Sequence, residues 1–209
     1  MWWRDLQSMR EQLAGLIPGG TSHSHATALI EPGAVLDDSS GPIMIGAHTR
    51  VCAGALLRGP LIVGSHGLIG NQAMLRGPAM IGDHVRVGFA SEIKQALIGD
   101  HVSIGPQCFV GDSRIDDHAY FGAQVRTSNH RLDGQPISVR QGDETIATGC
   151  EKLGCWIGAR ASLGIQVIVL PGRVIAADSL FEPRITIARN YPTGHYRAAQ
   201  SIESIGQKD

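Results

Sequence analysis

Residues 63–93, VGSHGLIGNQAMLRGPAMIGDHVRVGFASEI, place an aliphatic side chain at every sixth position: Val63, Ile69, Leu75, Ile81, Val87 and Ile93. Counting backwards adds Leu57, Val51 and Ile45. Neither a helix, with its 3.6-residue period, nor a simple strand, with its two-residue period, writes such a pattern. The register slips by one at Ile98, resumes at Ile104 and Val110, slips again at Ile115, runs through Phe121 and fades at Thr127. It returns at Ile157, Leu163, Val169, Ile175, Phe181 and Ile187. Hexapeptide repetition is the signature of a parallel β-helix, in which each short strand stacks on its counterpart one coil below. Three strands close a coil of about eighteen residues, and coils lie ~4.8 Å apart, so roughly seven or eight of them between Ile30 and Ile187 build a prism on the order of 35 Å tall. A glycine often follows the aliphatic residue, as in Gly46, Gly64, Gly82 and Gly99, which reads as a tight bend at each corner.

The flanks break the repeat. Trp2, Leu6, Met9, Leu13 and Leu16 recur at helical steps, and Pro18-Gly19-Gly20 ends that helix. An amphipathic helix over 1–18 is expected to cover the open edge strand of the first coil or to pack on a neighbouring subunit, because free sheet edges invite aggregation. The β-helix itself is expected over 27–128 and 156–189, with a tail over 190–209. Between them, residues 129–155 lack the period and contain the turn signal Asp133-Gly134. A long excursion from a regular scaffold reads as a functional loop, here a lid.

Composition narrows the function. Twenty-seven glycines in 209 residues, about twice the usual ~7%, and few aromatics favour β structure with frequent turns. A net charge of −1 gives no basic footprint for nucleic acid. The start has no apolar run of ~7–15 residues and no later stretch nears ~18, so a soluble cytoplasmic protein with no membrane partner is expected. Cys52, Cys108, Cys150 and Cys155 form no C-x-x-C, so reduced structural thiols are expected and no metal. His48, His66, His84, His101 and His118 share one repeat position at spacings of 17 or 18. They read as a solvated vertical ladder along one corner rather than a zinc site.

Four stretches carry a resemblance to a known family: LRGPAMIGDHVRVGFASEIK (75–94), FVGDSRIDDHAYFGA (109–123), SNHRLDGQPISV (128–139) and TGCEKLGCWIGARASLGIQVIVLPGRVI (148–175). Together they resemble the left-handed β-helix acyltransferases, in particular the C-terminal acetyltransferase domain of bifunctional sugar-1-phosphate nucleotidylyltransferase/acetyltransferases of the glucosamine-1-phosphate N-acetyltransferase type. The resemblance implies a left-handed coil, a homotrimer with its cleft between prisms, and acetyl-CoA or another acyl-CoA as co-substrate. It implies a phosphorylated amino sugar or nucleotide sugar as acceptor, and leaves a separate nucleotidylyltransferase as an expected partner. Arg76, Glu92 and Lys94 fall on the family's sugar-phosphate residues, Asn129 on an amino-sugar contact, and Ser162, Gly164 and Arg173 among the coils that hold CoA. Independently, Arg76 and Lys94 are eighteen residues apart, one coil, so two cations with no scheduled partner should leave one face at adjacent heights. Guanidinium and ammonium groups there would suit a phosphate.

Departures from the pattern fall on proton transfer. The family's general-base histidine is Pro106 here, a nearby Tyr is Phe109, an Asn one coil on is Tyr120, and two lysines of the loop are Gln135 and Ser138. His130, with Asn129 and Tyr120 beside it as the other candidate catalytic groups, is the replacement base this sequence offers. Two alternatives stay open: a sugar-phosphate-binding or assembly protein without catalysis, and a different reaction on a phosphorylated sugar or nucleotide in the same cleft.

Overall fold

The computed structural model describes residues 1–199, and those residues form a left-handed parallel β-helix with two short helices and one hairpin laid on its side. Three parallel sheets of eight, nine and eight strands make its faces. The first face runs from His23–Ser24 to Val174–Ile175, the second from Leu29–Ile30 to His195–Tyr196, and the third from Val35–Asp37 to Thr186–Ile187. Pairing is register-perfect at the repeat position. Ile45, Val63, Ile81, Ile98, Ile115, Ile157 and Ile175 form one interior column. Both one-residue slips are therefore absorbed in corners and never reach the strands. The solenoid starts earlier than 27 and takes its last rung from the tail; the rest of the tail, 200–209, lies outside the described residues.

Glycines after the aliphatic residue do not supply the bend. The corner residue in the left-handed region is two positions later, and it is His48, His66, His84, His101 or His118 at one corner, with φ between 56° and 59°. Histidine is among the residues that tolerate that region. Gly46 and its equivalents are needed for vertical clearance: a Cβ on Gly46 would sit 2.6 Å from the carbonyl carbon of Gly64 in the coil above. The histidine rings stack with centroids 4.6–4.9 Å apart, and no described group of three or more His, Cys, Asp or Glu is arranged to hold a metal.

The N-terminal helices do not cover the edge strand of the first coil. Helix α1 (Trp2–Gln7) and helix α2 (Met9–Leu16) pack on the outer side of the first face, leaving Leu29, Val35 and Leu36 of the first coil exposed. The reason is in the strands: the first face points Ile62, Met80 and Leu97 outward, an apolar floor that buries Met9 and Leu13 completely. Each such burial contributes about 1.5–3 kcal/mol. The inserted loop joins the same second core. Most of it is a regular β-hairpin, Ile137–Gln141 paired antiparallel with Glu144–Cys150, which buries Ile137 and Val139 against the helices. At the far end, Phe181, Tyr191 and Tyr196 cluster with ring centroids 4.8–5.8 Å apart and close the interior column.

All four cysteines are free, with Cys52, Cys108 and Cys155 buried and Cys150 half-buried. Burial disfavours the thiolate and pushes Cys155 up to about 12, and it raises Cys52 and Cys108 as well. At pH 8 a thiol reagent such as DTNB should therefore titrate one cysteine per native chain, Cys150, and all four after denaturation. Two or more fast-reacting thiols would contradict this burial pattern.

Candidate functional site

The corner between the third and first faces is where the coils differ in length. In two lower coils it reads Arg58-Gly59-Pro60 and Arg76-Gly77-Pro78; in the next two, one residue is lost and it tightens to Lys94-Gln95-Ala96 and Gly111-Asp112-Ser113. In the coil after those, the 27-residue excursion opens from the same place. Gln95 and Asp112 occupy the left-handed region in the tightened corners, with φ of 49° and 50°. This geometry turns the Asp112 carboxylate into the structure, where its side chain is only 6% exposed.

On the third face Arg58, Arg76, Lys94 and Gly111 stand in one column, each directly in register with the next. Arg76 and Lys94 therefore do leave the same face one coil apart. They do not lack partners, which corrects the expectation of two unpaired cations: Arg76 holds Glu92 through both Nε and Nη2, and Lys94 Nζ is 3.3 Å from Asp112 Oδ2. Asn129 Nδ2 donates to the same Asp112 oxygen at 2.5 Å. Gly111 makes room for this approach, since a Cβ there would come within 2.7 Å of the Phe109 ring and 3.1 Å of Asn129 Nδ2. Asp112 thus links the cation column to the root of the inserted hairpin. The sequence signal for it was the five-residue step into Ile115, which shortens this corner.

His130 follows on the surface. Its Nδ1 lies 3.3 Å from the Glu151 carbonyl, a contact that favours a proton on Nδ1 and leaves Nε2 as the acceptor. Beyond it, Arg131 is held by Asp133. Arg173 stands in the same corner two rungs above Asp112, through Gly154 and Gly172, and shares a pocket of about 180 Å³ with Arg131 and Ser138. Arg173 donates to the carbonyls of Pro171 and Ala188; burial, and then the neighbouring Arg131, lower its pKa. On the opposite side of Glu92, the third face carries an open depression of about 630 Å³ lined by Glu92, Gln107, Cys108, Phe109, Gln124 and Arg126. Pro106 begins the corner beside it.

The other expected site residues are not brought here within one chain. Tyr120 and Ser162 are stacked neighbours on the second face, and Tyr120 is half exposed. Gly164 follows in the next corner, where a Cβ would meet the Pro183 nitrogen at 2.7 Å, so its glycine is explained by coil clearance. No helix among the described residues is long and apolar enough to cross a membrane.

The chain is 51% identical over 172 residues to the uncharacterised acetyltransferase YaiX of Escherichia coli (strain 536 / UPEC), covering 82% of this chain and 75% of that protein. The protein of that name in a second Escherichia coli strain gives the same figures. No protein-family model matches. Among solved structures, WeeI from Acinetobacter baumannii AYE aligns over 82% of this chain and 61% of its own, with 18% identity and a TM-score of 0.42. AntD, an N-acyltransferase from Bacillus cereus in complex with dTDP and coenzyme A, aligns over 90% and 84%, with 14% identity and a TM-score of 0.34.

Proposed function

The chain belongs to the family of the Escherichia coli acetyltransferase YaiX, and from that membership we propose that it moves an acetyl or related acyl group from acyl-CoA to an amino group of a sugar phosphate or nucleotide sugar. The observation that carries the acceptor half of this reading is the linked cluster Arg76–Glu92, Lys94–Asp112–Asn129 on one corner of the prism. Arg76 keeps Nη1 uncommitted and the Lys94 ammonium has three donors for one carboxylate contact. A phosphate can therefore share both cations without expelling Glu92 and Asp112. Asn129, fixed by Asp112, orients the sugar.

In the reaction the acceptor nitrogen attacks the thioester carbonyl, the C–N bond forms as the C–S bond breaks, and the proton lost by nitrogen passes to the departing thiolate. We assign the transfer of that proton to His130 Nε2. An amine needs this help less than a hydroxyl does: with a pKa near the α-amino value of ~8, about a tenth is neutral at pH 7. That difference favours N-acylation in a chain whose family base position is Pro106. Arg173 and Arg131 supply cationic groups for CoA phosphates above the acceptor. In a homotrimer the third face of each protomer is closed by another chain, and the second face, with Tyr120, Ser162 and Gly164, is available to complete the cleft.

His130→Ala is expected to lower kcat at least tenfold while leaving binding of acyl-CoA, read by calorimetry, unchanged. Unaltered turnover would remove His130 from the mechanism.

A further inference from the structure

The pocket of about 180 Å³ shared by Arg131, Ser138 and Arg173 holds more positive charge than its own residues neutralise. Arg131 is matched by Asp133 through Nε and Nη2. Arg173 has no such match among the described residues: its Nε and Nη1 donate to the carbonyls of Pro171 and Ala188, each at 3.1 Å. Burial and the nearby Arg131 both act against its charge, and no carboxylate offsets them. A half-buried cation beside a second cation is stable when an anion completes the group. Each guanidinium carries five N–H donors, so both keep several for a ligand.

Size and walls restrict that anion. Small-molecule sites span about 300–1,000 Å³, so a volume of about 180 Å³ takes one functional group rather than a whole molecule. Ile137, Leu170, Pro171 and Ala188 complete the lining. The hairpin strand lies directly on this corner, where a Cβ on Gly172 would overlap the Ser138 carbonyl oxygen. Walls of this kind suit a group that ends in the pocket, not one that passes through it. A carboxylate is planar, and a single guanidinium fork satisfies its two oxygens. A phosphate monoester brings three acceptor oxygens and a charge of about −1.5 to −2 at pH 7. That is enough to balance Arg173 and to engage Arg131 and the Ser138 hydroxyl at the same time.

We infer that this pocket binds a terminal phosphate monoester and reads the ribose 3′-phosphate of the acyl donor. Coenzyme A carries its one phosphate monoester there, its other phosphates forming an internal diphosphate. The inference rests on acyl-CoA being the donor, with the acceptor phosphate held by Arg76 and Lys94 on lower coils. Calorimetry of the full chain with coenzyme A and with 3′-dephospho-coenzyme A tests it. The parent should bind coenzyme A at least about tenfold more tightly, the size of one charge-assisted hydrogen bond. Arg173→Gln should bind both forms within about twofold of each other, at the parental affinity for the dephospho form. Arg131, with a side chain 45% exposed, can be changed without disturbing the fold. Arg131→Gln should narrow the preference at least about threefold, and it keeps the test decisive should Arg173→Gln fail to fold. Arg76→Gln should leave the preference unchanged. Equal affinities in the parent overturn the 3′-phosphate assignment and leave coenzyme A as the donor, whereas no binding of either form overturns the donor reading as well. Weaker binding of glucosamine 1-phosphate by Arg173→Gln, with the coenzyme preference intact, would give the pocket to the acceptor and also overturn the assignment.

Discussion

Arg76→Gln should reduce kcat/KM for a phosphorylated amino-sugar acceptor about a hundredfold, ~2.7 kcal/mol of lost transition-state binding. A charge-assisted hydrogen bond contributes about 1.5–3 kcal/mol, and the guanidinium offers a phosphate more than one. Phosphate is remote from the reacting amine, so its contacts are equally strong before and during acyl transfer. The loss should therefore fall mainly on KM, with kcat within about threefold of the parent. Stability should hardly change, because Arg76 and Glu92 are each about a third exposed (37% and 32%), and surface pairs of that kind contribute ~0–1 kcal/mol. If the Arg76–Glu92 pair serves only the surface of the prism, both kinetic constants will stay at parental values. The KM for acyl-CoA should be untouched in either case.

The second large effect concerns the scaffold. Phe121 is fully buried on the second face, stacked between Ile104 below and Leu163 above. Phe121→Ala should cost about 3–5 kcal/mol, from lost burial and from the cavity left behind. In a stacked array, coil-to-coil interfaces carry the cooperativity, and this coil also leads directly into the 27-residue excursion. With a urea slope near ~3 kcal/mol/M for a chain of this size, the midpoint should fall by about 1–1.7 M in a single transition. A shift under about 0.3 M would mean that the interior column is not what holds the coils together.

The repeat was legible because interior packing imposes one rule on every strand: the residue at the sixth position must be apolar, and its partner lies one coil away. The same rule hid the site. The partners of Arg76 and Lys94 are Glu92 and Asp112, 16 and 18 residues away, charges that look unrelated along the chain and meet only when the coil closes. The steps of five into Ile98 and Ile115 were visible as slips, yet their consequence, a tightened corner that buries the Asp112 carboxylate, depends on which corner absorbs them. The helix was identified by its period but misplaced, because the outward apolar residues Ile62, Met80 and Leu97, which mark the face it covers, sit beside the repeat position and were masked by it. In the excursion, the alternation of Ile137 and Val139 and the Gly142-Asp143 turn encoded the hairpin that forms there. The glycines were read correctly as corner residues and for the wrong cause, since clearance between coils, not backbone sign, excludes a side chain at Gly46.

The most direct test of the account is incubation of the purified protein with acetyl-CoA and a panel of amino-sugar phosphates and nucleotide-linked amino sugars, following free thiol and the acylated product together. The account predicts that at least one phosphorylated acceptor gives thiol and N-acyl product in equal amounts, and that its unphosphorylated counterpart reacts at least about a hundredfold less efficiently. Absence of thiol release across the panel, together with no calorimetric binding of coenzyme A at millimolar concentration, would contradict it.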